Sequence, residues 1–355
     1  MTGLAPILGK LVAGNDLTRR EAAAAMNIIM DGAAADAQIA AFAVALRMKG
    51  ESADEIAGCA QALRRRAEKI GKIGRIASRL VDTCGTGGDL LGTINVSTLS
   101  AIVAAGAGLP VAKHGNRSVS SRCGSADLLE ALGVPIDLTP AESGACLDST
   151  GLTFLFAPRF HPALRHAAPA RRALGLRTIF NLLGPLCNPA GARRQVMGIF
   201  DGRRLRPMAE VLRTLGTRRA MLVHGHDGMD ELTVTGPTLV VELNEGRIRG
   251  TTVTPEDAGL RRWKLAALRG GAPEENAARA LAVLEGGRGA ARDITLLNAA
   301  AALVVGGAAS TLREGAALAA ETIDSGRARA KFEDVRSFCL GVGGKAERVP
   351  GGSTL

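Results

Sequence analysis

Apolar residues recur at helical spacing through the first seventy positions, and polar residues between them mark where each helix starts. Thr18 with Glu21 three residues later forms a capping box ahead of Ala22–Met30. Asp36 opens a second helix, and Ser52 with Glu55 opens a third. Nothing strand-like occurs before Arg79, where the period changes. Leu80–Thr83 is a short apolar run ending in a glycine-rich turn, followed by a helix from about Ser97 to Ala107. Val111–Lys113 is a second strand, then come a polar loop and a helix Ser125–Leu132 stopped by Gly133. Val134–Asp137 follows as an extended run. Thr139-Pro140 then supply the N-cap and first residue of the next helix, and Thr153–Phe156 comes after it. Further on, Ala220–His224 ends in a polar turn. Thr238–Leu243 and Arg247–Val253, joined around Asn244-Glu245-Gly246, read as an antiparallel hairpin at a sheet edge. Helices fill 273–286, 293–307 and 311–325, and the glycine-rich tail after Gly341 has little to bury.

Strands alternating with helices imply parallel β-α-β units covered on both faces. The expected fold is α/β: a small helical domain over residues 1–72, then a larger domain over 73–345 with a mainly parallel central sheet. No internal repeat and no long linker interrupts it.

Composition narrows the function. Hydrophobic residues make up 46% of the 355, but aromatics only 3%, with no Tyr. Stacking platforms for single-stranded nucleic acid are therefore disfavoured. The net charge of +10 is scattered, its densest cluster (Arg64-Arg65-Arg66) sits in a helical pattern, and no nucleic-acid fold signature accompanies it. Six cysteines lie far apart without metal-ligand spacing, and no signal peptide precedes the first helix. That combination reads as free thiols in a reducing cytoplasm. The most apolar stretches, 99–112 and 294–309, are too short to span a bilayer, and Asn298 interrupts the second.

Four segments carry chemistry. Asp82-Thr83-Cys84-Gly85-Thr86-Gly87-Gly88-Asp89 places three glycines after a buried strand, where backbone N–H groups can approach an anion. Leu90 breaks dinucleotide-fingerprint spacing, and Thr93 stands where a P-loop needs lysine. Asn95-Val96-Ser97-Thr98 opens the next helix, whose N-terminus suits a phosphate. Lys113-His114-Gly115-Asn116-Arg117-Ser118-Val119-Ser120-Ser121 follows the second strand and would form the other wall of an anion site at the same sheet end. Asp230-Glu231, beyond the Ala220–His224 strand, is a carboxylate pair able to hold Mg²⁺, which prefers oxygen ligands. His224 and His226 lack a convincing third metal ligand. A further segment, Arg171-Arg172-Ala173-Leu174-Gly175 leading into Arg177-Thr178-Ile179-Phe180-Asn181, offers Arg171 as a fork for the carboxylate of a small aromatic acid.

In this order the segments G-T-G-G-D, N-x-S-T, K-H-G-N-R-x-x-S-S, G-S-A-D, R-T-I-F-N-L-L-G-P-L-x-N-P and H-G-x-D-G-x-D-E resemble the anthranilate phosphoribosyltransferase family, and the resemblance spans nearly the whole chain. It implies a nucleoside phosphorylase/phosphoribosyltransferase-like fold, with a segment near 170–190 returning to the helical domain, and a homodimer formed through that domain. The substrates implied are 5-phosphoribosyl 1-diphosphate and anthranilate. Gly85, Gly88, Asp89, Thr93 and Asn95–Thr98 would hold the donor; Lys113–Ser121 and Ser125 would cover its 5-phosphate and ribose. Ser97, Asp230 and Glu231 would be Mg²⁺ ligands, with Lys113, Asp230 and Glu231 stabilising the departing charge. Asn116 and Arg171 would bind anthranilate, and Gly85, His114, His161, Gly184 and Pro185 would shape its pocket. An aromatic amine is already neutral at pH 7, so no strong general base is demanded. Leu90 and Cys123 stand where the family often has glycine and serine. The rival readings are a pyrimidine nucleoside phosphorylase, which the intact carboxylate pair and the Arg171 segment disfavour, and a non-catalytic nucleic-acid-binding relative.

Overall fold

A computed structural model describes residues 3–71, 73–118 and 122–343. Four helices open it: α1 (Ala5–Val12), α2 (Arg19–Met30), α3 (Asp36–Lys49) and α4 (Ala53–Arg66). Both expected capping boxes form, Thr18 with Glu21 and Ser52 with Glu55. Glu55 is fully buried because it does more than cap: its carboxylate accepts from Leu17 N at 2.9 Å and pairs with Lys49 at 2.9 Å. Helix Ala168–Leu174 packs on α3, and Ile179, Phe180, Leu182 and Leu183 share the core of α2–α4. Residues 167–187 thus pack with these helices.

The remainder is one seven-stranded sheet of β1 (Val81–Gly85), β2 (Val111–Gly115), β3 (Leu152–Phe156), β4 (Arg194–Gly198), β5 (Arg219–Gly225), β6 (Thr238–Asn244) and β7 (Arg247–Val253), in the order β3-β2-β1-β4-β5-β6-β7. The first five strands are parallel; β6 and β7 form the expected antiparallel hairpin at one edge. Helices α5 (Val96–Gly106) and α6 (Ser125–Ala131) follow β1 and β2, and Ala290–Gly306 packs on α5 as a core helix in which all but Ala291 and Asp293 are buried. No described helix is long and apolar enough to cross a membrane.

Three expectations change. Val134–Asp137 pairs with no strand. Val134, Ile136 and Leu138 are buried, but Pro135 lacks a ladder donor, so the run packs without joining the sheet. The sheet's centre instead includes β4, whose Arg194 and Gln195 disguise a strand that is otherwise buried. Beyond the helix Leu312–Asp324, residues 327–343 form a further helix that includes Gly341; the rest of the glycine-rich tail lies outside the described residues.

Candidate active site

The carboxyl ends of β1, β2, β4 and β5 converge, and glycine makes the convergence possible. A Cβ on Gly85 would lie 2.7 Å from Asp230 Oδ2, and one on Gly198 would overlap the Asp230 carbonyl oxygen. Only bare backbone at two neighbouring strand ends lets the turn after β5 lay Asp230 across them. Asp230 Oδ2 accepts from Gly87 N at 2.8 Å, and Glu231 Oε1 accepts from Ser97 N at 3.2 Å. The acidic pair is thereby fastened to the glycine turn and to the amino end of α5, where the helix dipole favours negative charge.

Beneath it, Lys113 is buried and donates to Thr83 O at 2.6 Å and Ser97 Oγ at 3.1 Å. Burial pushes its pKa down, opposed chiefly by Asp82 and then by the site carboxylates. Asp230 is pushed up to about 7 by burial and by Asp89 opposite; Glu231 is raised well above the usual carboxylate range by burial and by Asp230. Two half-open carboxylates held against each other in poorly screened surroundings favour a cation. Among the described residues no group of three His, Cys, Asp or Glu side chains could hold a metal unaided.

The backbone behind the pair is pinned by Asn298, the residue that breaks the apolar run of its helix. Its Oδ1 accepts from Leu232 N at 3.0 Å and its Nδ2 donates to Leu232 O at 2.8 Å. Asn298→Leu leaves both Leu232 groups buried and unpaired, so a loss of about 2–4 kcal/mol is expected in denaturant melts. Asp227 braces the same turn by accepting from Thr233 Oγ1 and Thr235 Oγ1, each at 2.7 Å.

A second group of residues begins at His114, next to Lys113 on β2. His114 Nδ1 sits 3.2 Å from Gly184 O, and the His114 and His161 ring centroids are 5.1 Å apart. Burial, then His161, lowers His114 to about 3, and burial lowers His161 to about 4, so both are neutral at pH 7. His114 Nε2 makes no hydrogen bond. Arg171, in the helix Ala168–Leu174, lies over the Phe180 ring at 5.5 Å and has no carboxylate partner among the described residues; burial lowers its pKa. A desolvated guanidinium with nothing to neutralise it is a receptor for an anion.

The other expected contact residues take the following positions. Val96 and Thr98 turn their side chains into the core, the Thr98 hydroxyl without a partner. Both ends of the Asn95 amide are occupied: Nδ2 donates to Cys123 O at 2.9 Å, and Oδ1 accepts from Asn276 Nδ2 at 3.0 Å. Asn95 therefore ties α5 to the polar loop. Thr93 forms an isolated bridge with Arg269, a partner far along the chain. Arg117 pairs outward with Asp127 and Glu130. Ser118 N donates to Asp127, Asn116 is exposed with Oδ1 accepting from Arg117 N at 2.8 Å, and Ser125 Oγ donates to Asn116 O at 3.1 Å. Gly115 has Ser125 and Phe154 in its Cβ direction. Val119, Ser120 and Ser121 lie outside the described residues.

Next to Asp89, whose Oδ1 accepts from Leu91 N at 3.2 Å, Leu90 is left-handed with φ 62° and 71% exposed. A leucine there is strained by about 1–2 kcal/mol. Leu90→Gly relieves that strain against a larger unfolded-state entropy, so a net gain of up to about 1 kcal/mol is expected. Leu90→Ala, which keeps the Cβ, should gain none; paired thermal melts decide it.

Residues 5–67 match the glycosyl transferase family, helical bundle domain, and residues 77–329 match the glycosyl transferase family, a/b domain. Fold and site together define a two-domain transferase of that class. The anthranilate phosphoribosyltransferase of Moorella thermoacetica is 56% identical over 326 residues, covering 92% of this chain and 95% of its own. The crystal structure of the Thermus thermophilus anthranilate phosphoribosyltransferase superposes with a TM-score of 0.88 at 46% identity, over 94% of this chain and 98% of its own. That of the Saccharomyces cerevisiae enzyme, in complex with PRPP and Mg, gives 0.87 at 27% identity, over 95% and 98%. The chain belongs to the anthranilate phosphoribosyltransferase family.

Proposed function

We propose that this chain transfers the phosphoribosyl group of 5-phosphoribosyl 1-diphosphate to the amino nitrogen of anthranilate, releasing diphosphate, with Mg²⁺ as the required ion. The observation that carries the reading is the carboxylate pair Asp230-Glu231 fastened against the glycine turn and the amino end of α5. The two carboxylates repel each other in poorly screened surroundings, and the segment returning to the helices adds Arg171, stacked on Phe180 with no carboxylate partner among the described residues. The pair suits a magnesium-bound polyphosphate, and Arg171 a small aromatic acid.

Asp230, Glu231 and the Ser97 hydroxyl would hold the ion; Mg²⁺ completes its shell with water and substrate phosphate, so a sparse protein set fits it. Bound there, the ion would supply positive charge against the departing diphosphate. Lys113 holds Ser97 and, through proximity, tempers Glu231 from below. Gly85, Gly88, Asp89 and Thr93 line the donor side, and the 113–125 segment covers its ribose and 5-phosphate. Arg171 and Asn116 orient anthranilate, so that much of the rate arises from positioning. Anthranilate fluorescence followed with donor present, with and without Mg²⁺, tests this. Loss of signal only with the ion is expected, and a steady signal with donor and ion both present overturns it.

The reading extends to a cytoplasmic homodimer joined through the helical domain, taken as residues 1–72 with 170–190 folded back, against an α/β domain of 73–345. Val12 and Met48, 79% and 84% exposed on neighbouring helices α1 and α3, support the dimer. Six free, buried cysteines support a reducing compartment.

A further inference from the structure

Arg177 stands six residues beyond Arg171, on the other side of the left-handed turn at Gly175 (φ 58°). Its guanidinium lies 4.5 Å from the Phe200 ring centroid and is laid along the glycine turn so closely that a Cβ on Gly88 would be 2.6 Å from Cζ. Phe200 is itself fixed, its N–H donating to Thr86 Oγ1 at 3.1 Å on the same turn. Arg177 is half-buried, forms no ion pair among the described residues, and lies within electrostatic reach of Asp230. Stacking accounts for its pose, but leaves its five N–H donors without a partner among the described residues, beside the glycine turn.

We infer that Arg177 binds the diphosphate of the donor and stays on it as it leaves. This rests on the reading proposed above and adds a residue to it. A diphosphate brought beside Asp89, Asp230 and Glu231 adds several negative charges, while Lys113 is buried beneath the pair and already donates to Thr83 and Ser97. Arg177 is the cation lying along the glycine turn itself. The return segment thus supplies one arginine to each substrate: Arg171 on Phe180 for the acceptor, Arg177 on Phe200 for the leaving group.

The test measures Mg²⁺–diphosphate binding by calorimetry, and steady-state kinetics in both substrates, for the full chain and for Arg177→Gln, Arg177→Ala and Phe200→Leu. Arg177→Gln and Arg177→Ala are expected to weaken diphosphate binding and lower donor kcat/KM by roughly 10- to 100-fold, the value of charge-assisted hydrogen bonds to phosphate. The anthranilate KM should stay within about twofold, and Phe200→Leu, which removes only the shelf, should lose less. Should Arg177→Ala fold poorly, the Gln and Phe200 variants decide. Unchanged diphosphate binding in Arg177→Gln, or a rise confined to the anthranilate KM, overturns the inference while leaving the reaction intact. A wild type inert toward both substrates overturns the parent reading and this one with it.

Discussion

Asp230→Asn and Glu231→Gln are each expected to lower turnover by at least about 100- to 1000-fold, the scale seen when one electrostatic contact to a developing charge is lost, while the protein remains folded. The fold has no need of these charges. Asp230 is held at about 7 in the folded chain against an ordinary 3.8, so the folded state keeps a proton that the unfolded state loses. Stability from this group is therefore complete below about pH 4 and falls as pH rises toward 7. In the ligand-free wild type this group should add something on the order of 2 kcal/mol more at pH 5.5 than at pH 8, a slope set against that of His114 and His161, which burial holds neutral and which lose stability as pH falls below about 6.5. Asp230→Asn should flatten that slope, and Mg²⁺ with diphosphate should stabilise the wild type at pH 8 but not the variant. Near-normal turnover in both variants, or the same stability-versus-pH profile in wild type and Asp230→Asn, would remove the metal assignment.

Arg171→Ala is expected to raise the anthranilate KM by roughly 30- to 100-fold, with donor KM unchanged. The reason is again desolvation. The guanidinium is already stripped of much of its water and has no internal carboxylate, so an arriving carboxylate gains a charge-assisted, two-pronged bond at little further cost. Arg171→Lys should recover only part of the effect, because an ammonium cannot present the planar fork or stack on Phe180. If steady-state kinetics showed the donor KM moving instead, Arg171 would have been placed on the wrong substrate, and the division of labour with Arg177 would fail too.

Local grammar was legible wherever neighbours in sequence are partners in space. The boxes at Thr18 and Ser52 form as read, and Thr139 caps its helix with Pro140 at the first position. The edge hairpin turns at Glu245-Gly246, both with positive φ, and the Ala290–Gly306 helix is core despite Asn298. β4 was not legible, because Gln195 reads as polar surface until its amide is seen donating to Pro185 O at 2.6 Å and to Asp82 Oδ2 at 3.2 Å inside the sheet. Val96, Thr98 and Asn95 show the reverse: three residues in a motif that looks wholly like ligand contact, of which two side chains face the core and one braces a loop.

What the linear chain determined by itself was which chemistry is present: the glycine turn, the basic loop, the acidic pair and the arginine segment, each set by short-range hydrogen bonding and side-chain type. Only the tertiary structure decided what that chemistry faces. Asp230 meets Gly85 and Gly198 because strands far apart in sequence end side by side, and Asn298 fastens the acidic turn from a helix 66 residues from Leu232. Charges turn into receptors when packing strips their water and withholds their partners, and burial of that kind depends on every element that closes around the cleft.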